Sequence, residues 1–425
     1  MKKNWRRWGL TVGCLGLVSG LAACASSEET GGSDGGDDVT LTMWLWPGMG
    51  FEELAREYEE DNPGITINIQ EAEYDDTHQN LITALAAGSG APDISGVDEA
   101  YLERIKENSE HFYNLADFGA AELEGDYLDW KWQQASAEDG EMVIGIPTDV
   151  GPMAMAYRVD LFEEAGLPSD PDEVSAQIDT WEAFLEAGHQ LYDETGVSML
   201  ADVTEMYSAI REQGGEQYFR EDGTLIIEES EQIQKAWDLS VEAIDIHANI
   251  ERTAAEWGAA LANGDFATVF VPPWMLQNIK NDAPDTEGLW NIALMPEGAG
   301  NWGGSFLTIP SQSDHPEEAY DFITWMMSPE NQLRIFESNS NFPSTPEVYD
   351  DPAVQELSDE FFNRDDLGAI YAEAAQLVEY VYRAPMTAPI NTVMQDALGT
   401  IADGVAEPDQ AWDEAMNEVD RQISR

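Results

Sequence analysis

Along "VTLTMWLW", Val39, Leu41, Met43 and Leu45 alternate with Thr40, Thr42, Trp44 and Trp46. A two-residue apolar period predicts a strand with one buried face. After "PGMG", Phe51, Leu54, Ala55 and Tyr58 fall at i, i+3, i+4 and i+7, the spacing of a helix with one apolar stripe. "NPG" at 62–64 ends that helix, and Ile65, Ile67 and Ile69 open a second alternating segment. A helix over about 76–87, a glycine turn and "PDISGV" follow. Strand, helix, strand, helix, strand at this spacing predicts βαβ units and a mainly parallel sheet. Further strands are expected at 142–146, 266–271, 291–295 and 305–309. Amphipathic helices lie between them, such as the one carrying Ala319, Phe322, Ile323 and Met326 after a Ser313/Asp314 cap. The expected fold class is α/β, with two doubly wound lobes and ligands bound at the carboxyl ends of the strands.

Composition narrows the setting. The chain has 425 residues, 43% of them apolar, enough for a large core in two globular units. Its 84 acids against 19 bases give a formal charge of −65. Such a surface repels nucleic-acid phosphates and anionic headgroups, which excludes nucleic acid as an expected partner. It suits a salty or alkaline exterior, where self-repulsion is screened within about 3 Å at ~1 M salt.

The first residues specify export. Lys2, Lys3, Arg6 and Arg7 precede an apolar run over 10–23, too short for a bilayer span, which reads as a signal peptide covering 1–23. The end of that run, Leu21-Ala22-Ala23-Cys24, has the form of a bacterial lipobox, so Cys24 is expected to carry lipid. Removing the signal takes four bases and no acids, moving the charge from −65 to −69. Cys14 lies inside the signal, so no thiol remains for a disulfide, redox chemistry or a metal. The acidic, glycine-rich 24–38 stretch reads as a flexible tether. The expected location is the outer face of the cell membrane or the periplasm, with the lipid as the only membrane contact.

The chain carries no recognisable catalytic or cofactor-binding motif. There is no G-x-x-x-x-G-K-[ST] and no G-x-S-x-G, and the five histidines are scattered. Metal and cofactor sites are therefore not expected. Gly298, Gly300 and Gly303 spell G-x-G-x-x-G, but a dinucleotide loop follows a strand directly and opens a helix. Here "MPE" intervenes, and a strand is expected next. The segment reads instead as a glycine-rich loop presenting Trp302.

Several segments carry a family resemblance: "MWLWPGMGFEELAREYEEDNPGI", "LITALAAGSGAPDI", "GIPTDVGPMAMAYRVDLFEEAGLP" followed by "DTWEAF", "NGDFATVFVPPWMLQNI", and "MPEGAGNWGGSFLTIP" followed by "HPEEAYDFITWMMSPENQ". In this order and spacing the chain resembles the family 1 extracellular solute-binding proteins of ABC sugar importers, the maltose-binding-protein-like group. Arg158 departs from the Asn usual after the Tyr that Tyr157 matches. The resemblance implies a type II periplasmic-binding-protein fold, with lobe one at 39–157 and 302–344 and lobe two at 158–301 and 345–425. The crossings would fall near Tyr157 and Arg158, near Asn301 and Trp302, and near Ser344 and Thr345. It also implies a monomer that binds a carbohydrate, an oligosaccharide above all, between the lobes. The partner would be an ABC permease, and the chain itself would have no enzymatic activity.

Sugar rings offer C–H faces to aromatic planes and hydroxyls to carboxylates, amides and Arg. On that basis the expected carbohydrate-binding residues are Trp44, Trp46, Asp98, Asp149, Tyr157, Tyr207, Trp274, Trp302 and Arg383. Trp46 is favoured over Trp44 because it lies nearer the strand end. Each has a competing use: burial for the aromatics, capping for the aspartates, and an ion pair for Arg383. Trp181, Trp237, Trp257, Trp290, Trp325 and Trp412 are expected in packing positions. An exported glycoside hydrolase and a sugar sensor without transport remain the alternative functions.

Overall fold

The computed structural model describes residues 38–137 and 140–424. The expected signal at 1–23, Cys24 and nearly all of the tether lie outside the described residues.

Two sheets organise the chain. The first comprises β1 (Val39–Leu45), β2 (Ile65–Glu71), β3 (Ile94–Asp98), a short β6 (Ile146–Pro147) and β12 (Ser305–Thr308), ordered β2-β1-β3-β12-β6. β1 runs parallel to β2 and β3, whereas β12 is antiparallel to β3 and β6. The alternation that predicts β1 is seen directly. Leu41, Met43 and Leu45 are buried in the lobe-one core, and Trp44 lies on the opposite face, half-buried. The second sheet, ordered β11-β8-β10-β9, contains β8 (Ala154–Arg158), β9 (Ser198–Leu200), β10 (Phe266–Val271) and β11 (Trp290–Ala293). β8 runs antiparallel to both neighbours, and all of β8, β10 and β11 is buried.

The short strands depart from expectation for local reasons. The 142–146 segment divides into β5 (Met142–Val143), paired with β4 (Ser136–Ala137), and β6. The break falls at Gly145, where a Cβ would stand 3.1 Å from the Leu307 carbonyl oxygen of β12. The helix Pro316–Met326 has His315 at its N-cap without a side-chain bond. Ser313 is not its cap: its hydroxyl donates to Asp93 at 2.6 Å and accepts from the His315 N–H.

The sheet pairings also move the first crossing. Tyr157 pairs with Thr268 and Asn291, so the chain has already entered the second sheet by Ala154. It crosses through β7 (Asp149–Val150), which pairs with β13 (Phe342–Pro343), and through Pro152, which bridges Asn301. All of β8, from Ala154 to Arg158, lies in the second sheet. The return segment at Asn301 and Trp302 leads into β12, and Ser344 and Thr345 follow β13. Trp130, on a lobe-one helix, donates its indole N–H to the Ala375 carbonyl of lobe two at 3.0 Å, a second tie beside the crossings.

Candidate functional site

The base of the site is the place where the crossings run side by side. The Gly151 N–H donates to Asn301 Oδ1 at 2.9 Å, the Trp302 N–H to the Gly151 carbonyl at 2.8 Å, and the Met153 N–H to the Gly300 carbonyl at 2.9 Å. A Cβ on Gly151 would stand 1.9 Å from the Trp302 oxygen, so only glycine permits this approach.

Above this base, an ion network joins the lobes. Glu99 opens the helix Glu99–Lys106 directly after β3 and is buried. Its carboxylate accepts from the Gly303 N–H at 2.8 Å, Asn301 Nδ2 at 2.7 Å and Gln134 Nε2 at 3.2 Å. Arg383, in the segment before the helix Thr387–Ala402, pairs with Glu99 at 2.9 Å and with Glu212 at 2.7 Å. Glu212 also holds Arg211. The two acids strongly favour the Arg383 cation, overcoming its burial. Beneath lies Lys131, fully buried, its Nζ 4.0 Å from the Phe306 ring centroid and without a hydrogen-bond partner among the described residues. Burial lowers its pKa to about 8, opposed by Glu99, Asp149 and Asp98.

From this base a cavity of about 860 Å³ opens along lobe two. It lies within the ~300–1,000 Å³ of small-molecule sites. Glu99, Asn301, Trp302 and Glu212 line its inner end, and Asn391 and Gln395 of the helix Thr387–Ala402 line its wall. Its lining carries seven carboxylates and two guanidinium groups. Trp302 is 41% exposed, the most open tryptophan among the described residues. Trp274 meets it edge-on, with centroids 5.6 Å apart and planes at 76°, and its indole N–H points to the Trp302 carbonyl at 3.3 Å.

A second aromatic group stands at the strand ends of lobe one. Trp46 lies across Gly96 of β3, where a Cβ would approach its ring to 3.1 Å. Its centroid is 5.5 Å from Tyr74 and 4.9 Å from His78. His78 stacks on Tyr101 at 4.0 Å. Its Nδ1 lies 2.8 Å from the Tyr74 carbonyl and its Nε2 accepts from the Asp98 N–H at 3.0 Å, a neutral tautomer. Burial holds His78 down to about 4. Asp98 caps the following helix and accepts from the Tyr74 hydroxyl at 2.8 Å. Burial and the Glu99 charge push its carboxyl up to about 6.

The expected residues thus separate. Trp302 lines the cavity, Trp274 packs against Trp302, and Arg383 stands behind the lining, paired with Glu99 and Glu212. Trp46 and Asp98 belong to the lobe-one group. Trp44 turns toward β2, its indole N–H 3.3 Å from Gln70. Asp149 lies at the hinge and accepts from the Thr148 hydroxyl and the Ser305 N–H. Tyr157 and Tyr207 are corrected: both are fully buried in the lobe-two core. The Tyr157 hydroxyl donates to the Ser169 carbonyl, and the Tyr207 hydroxyl pairs with that of Tyr218 at 2.9 Å. Tyr157 points inward because its strand is covered on both faces. Tyr207 does so because it lies on the buried stripe of Val203–Arg211 with Met206 and Ile210. Glu99, Arg252 and Glu205 are not among the expected residues, and Asn301 is expected only at a crossing. Adjacency to Asp98 at a strand end could have flagged Glu99, and the scarcity of bases Arg252.

Two α/β lobes, crossings between them and a polar cleft with an exposed indole define a two-lobed ligand-capturing protein. The chain belongs to the bacterial extracellular solute-binding protein family, whose model matches residues 53–362. It is 28% identical over 353 residues to an arabinooligosaccharide-binding protein of Halalkalibacterium halodurans, covering 76% of each chain. Among solved structures, it matches an extracellular solute-binding protein of family 1 at 33% identity and a TM-score of 0.87, covering 90% of this chain and 99% of that one. It also shares the fold of the sugar-binding protein MalE from Xanthomonas citri, with 20% identity, a TM-score of 0.76 and coverage of 91% and 98%.

Proposed function

We propose that the chain captures a neutral carbohydrate, an oligosaccharide, in this cleft and delivers it to the permease of an ABC importer. The observation that carries the reading is Trp302, an exposed indole at the inner end of a cavity walled by carboxylates and amides. Stacking on the indole supplies an apolar face, and the polar wall orients hydroxyls. The arabinooligosaccharide-binding relative and the sugar-binding MalE fold support the same chemistry. The acidic lining favours neutral sugars over uronates or sugar phosphates.

In this reading the mature chain is a monomer anchored by lipid on Cys24, on the outer face of the membrane or in the periplasm. The acidic tether gives it reach, and closure of the lobes about the crossings encloses the sugar. It binds its cargo without chemical change. Calorimetry of the mature protein against arabinotriose, lactose, cellobiose and maltotriose tests the proposal. Micromolar or tighter binding of at least one supports it. Heat from none of them, or release of shorter sugars on incubation, overturns it.

A further inference from the structure

The backbone around Trp302 is held by Gly151, Glu99 and the Trp274 N–H, but none of these bonds fixes the indole ring itself. Gly300 precedes the residue, and Gly303 and Gly304 follow with φ of +93° and +91°. An exposed ring without further support would have to be ordered by its ligand, which costs affinity. Its fixed position needs another source, and one arginine supplies it. Arg252 lies in the segment leading to the helix Trp257–Asn263. Its guanidinium carbon is 5.1 Å from the Trp257 ring centroid and 5.2 Å from that of Trp302, over both faces. The same group donates to Glu205 from Nε at 2.9 Å and lies 2.7 Å from it through Nη2, while Nη1 reaches the Met275 sulfur at 2.8 Å. Trp257 is buried in lobe two and Glu205 is rooted in the helix Val203–Arg211, so the guanidinium has two fixed supports.

We propose that Arg252 is the positioning residue of the ligand platform. It covers one face of Trp302 and ties it to Trp257 and Glu205, leaving the opposite face as the single surface on which a sugar ring stacks. This rests on the carbohydrate reading of the cleft. A planar cation is required, because it stacks against two rings while its edge forks onto a carboxylate, and lysine can do only one of these.

The test uses the mature chain, its Arg252→Lys, Arg252→Met and Trp302→Ala variants, and the two double variants Arg252→Lys/Trp302→Ala and Arg252→Met/Trp302→Ala. Calorimetry with whichever panel sugar the wild type binds most tightly gives a double-mutant cycle. Arg252→Lys and Arg252→Met are each expected to weaken binding about tenfold with Trp302 present and under twofold once Trp302 is alanine. Equal losses in both backgrounds overturn the proposal, since Arg252 would then act on the sugar or the fold directly. A ligand-free readout separates this from failure of the sugar reading. Acrylamide quenching attributable to Trp302, taken as the difference from Trp302→Ala, is expected to rise about twofold in both single variants, because the covered face becomes accessible. Unchanged quenching overturns the proposal even if no sugar in the panel binds.

Discussion

The two lobes bring aromatic residues to the strand ends and put them to opposite uses. In lobe one, Trp46, Tyr74, His78 and Tyr101 pack on one another with centroids 4.0–5.8 Å apart, Tyr74 36% exposed at the rim, and Asp98 is held by Tyr74 and by its helix. In lobe two, Trp274 and Arg252 pack against Trp302 and leave 41% of it open. Residue type does not distinguish the groups. What does is whether the hydrogen-bonding and stacking capacity of each side chain is already used within its own lobe.

The charged joint beneath both groups gives the largest expected effect. Glu99→Leu leaves Arg383 and Lys131 buried without their shared carboxylate. Removing one partner of a buried pair costs about 3–5 kcal/mol, so urea denaturation should show a loss of that size. A variant of unchanged stability but lost binding would mean that Glu99 serves the cavity it lines and not the joint.

Next comes the comparison itself, as a double dissociation. Trp302→Ala should weaken oligosaccharide binding ten- to a hundredfold, from the ~1.5–3 kcal/mol of a large apolar contact. Its folding stability should change by less than about 1 kcal/mol. Trp46→Ala should do the reverse, costing about 1–2 kcal/mol of stability through its lost ring contacts and shifting affinity by under about twofold. Calorimetry and urea denaturation on both variants read the four values. A large affinity loss from Trp46→Ala would show that lobe one also offers an open platform.

Much of this arrangement is legible in the sequence, but unevenly. The period-2 run from Val39 and the 3.6-residue pattern after it yield β1 and its helix because burial acts on one face of each. β10 begins and ends where its apolar run does. The first crossing was not legible, because the apolar character of β8 is continuous and marks no lobe. Gly151 does not mark it in the sequence either, since Gly368 meets a comparably close carbonyl, that of Val354, away from the crossings. Trp302 and Tyr207 are both aromatic residues near expected cleft segments, and no local pattern says that one is exposed and the other bonded to Tyr218. That depends on partners remote in sequence, as does the place of Arg252 between Trp257 and Trp302.

The smallest effect tests whether the lobe-one group is closed as a unit. The Asp98 backbone N–H donates to His78 Nε2, and burial shifts the two side chains in opposite senses. Asp98 is raised from 3.8 to about 6, so its contribution to stability is full below about pH 3.8 and is lost as pH rises through 6. His78 is lowered from 6.5 to about 4, so its contribution is full above 6.5 and is lost as pH falls through 4. Between about pH 4 and 6 the two slopes oppose, and the pair adds little pH dependence. Asp98→Asn leaves the His78 slope alone, so its stability relative to wild type should rise from pH 4 to 6. His78→Gln leaves the Asp98 slope, so its relative stability should fall over the same interval. Urea midpoints at pH 4.5, 5.2 and 6.0 read the divergence, since the other ionisable groups are common to all three proteins. Parallel curves would mean that water reaches both side chains, and the lobe-one group would then be as open as the platform across the cleft.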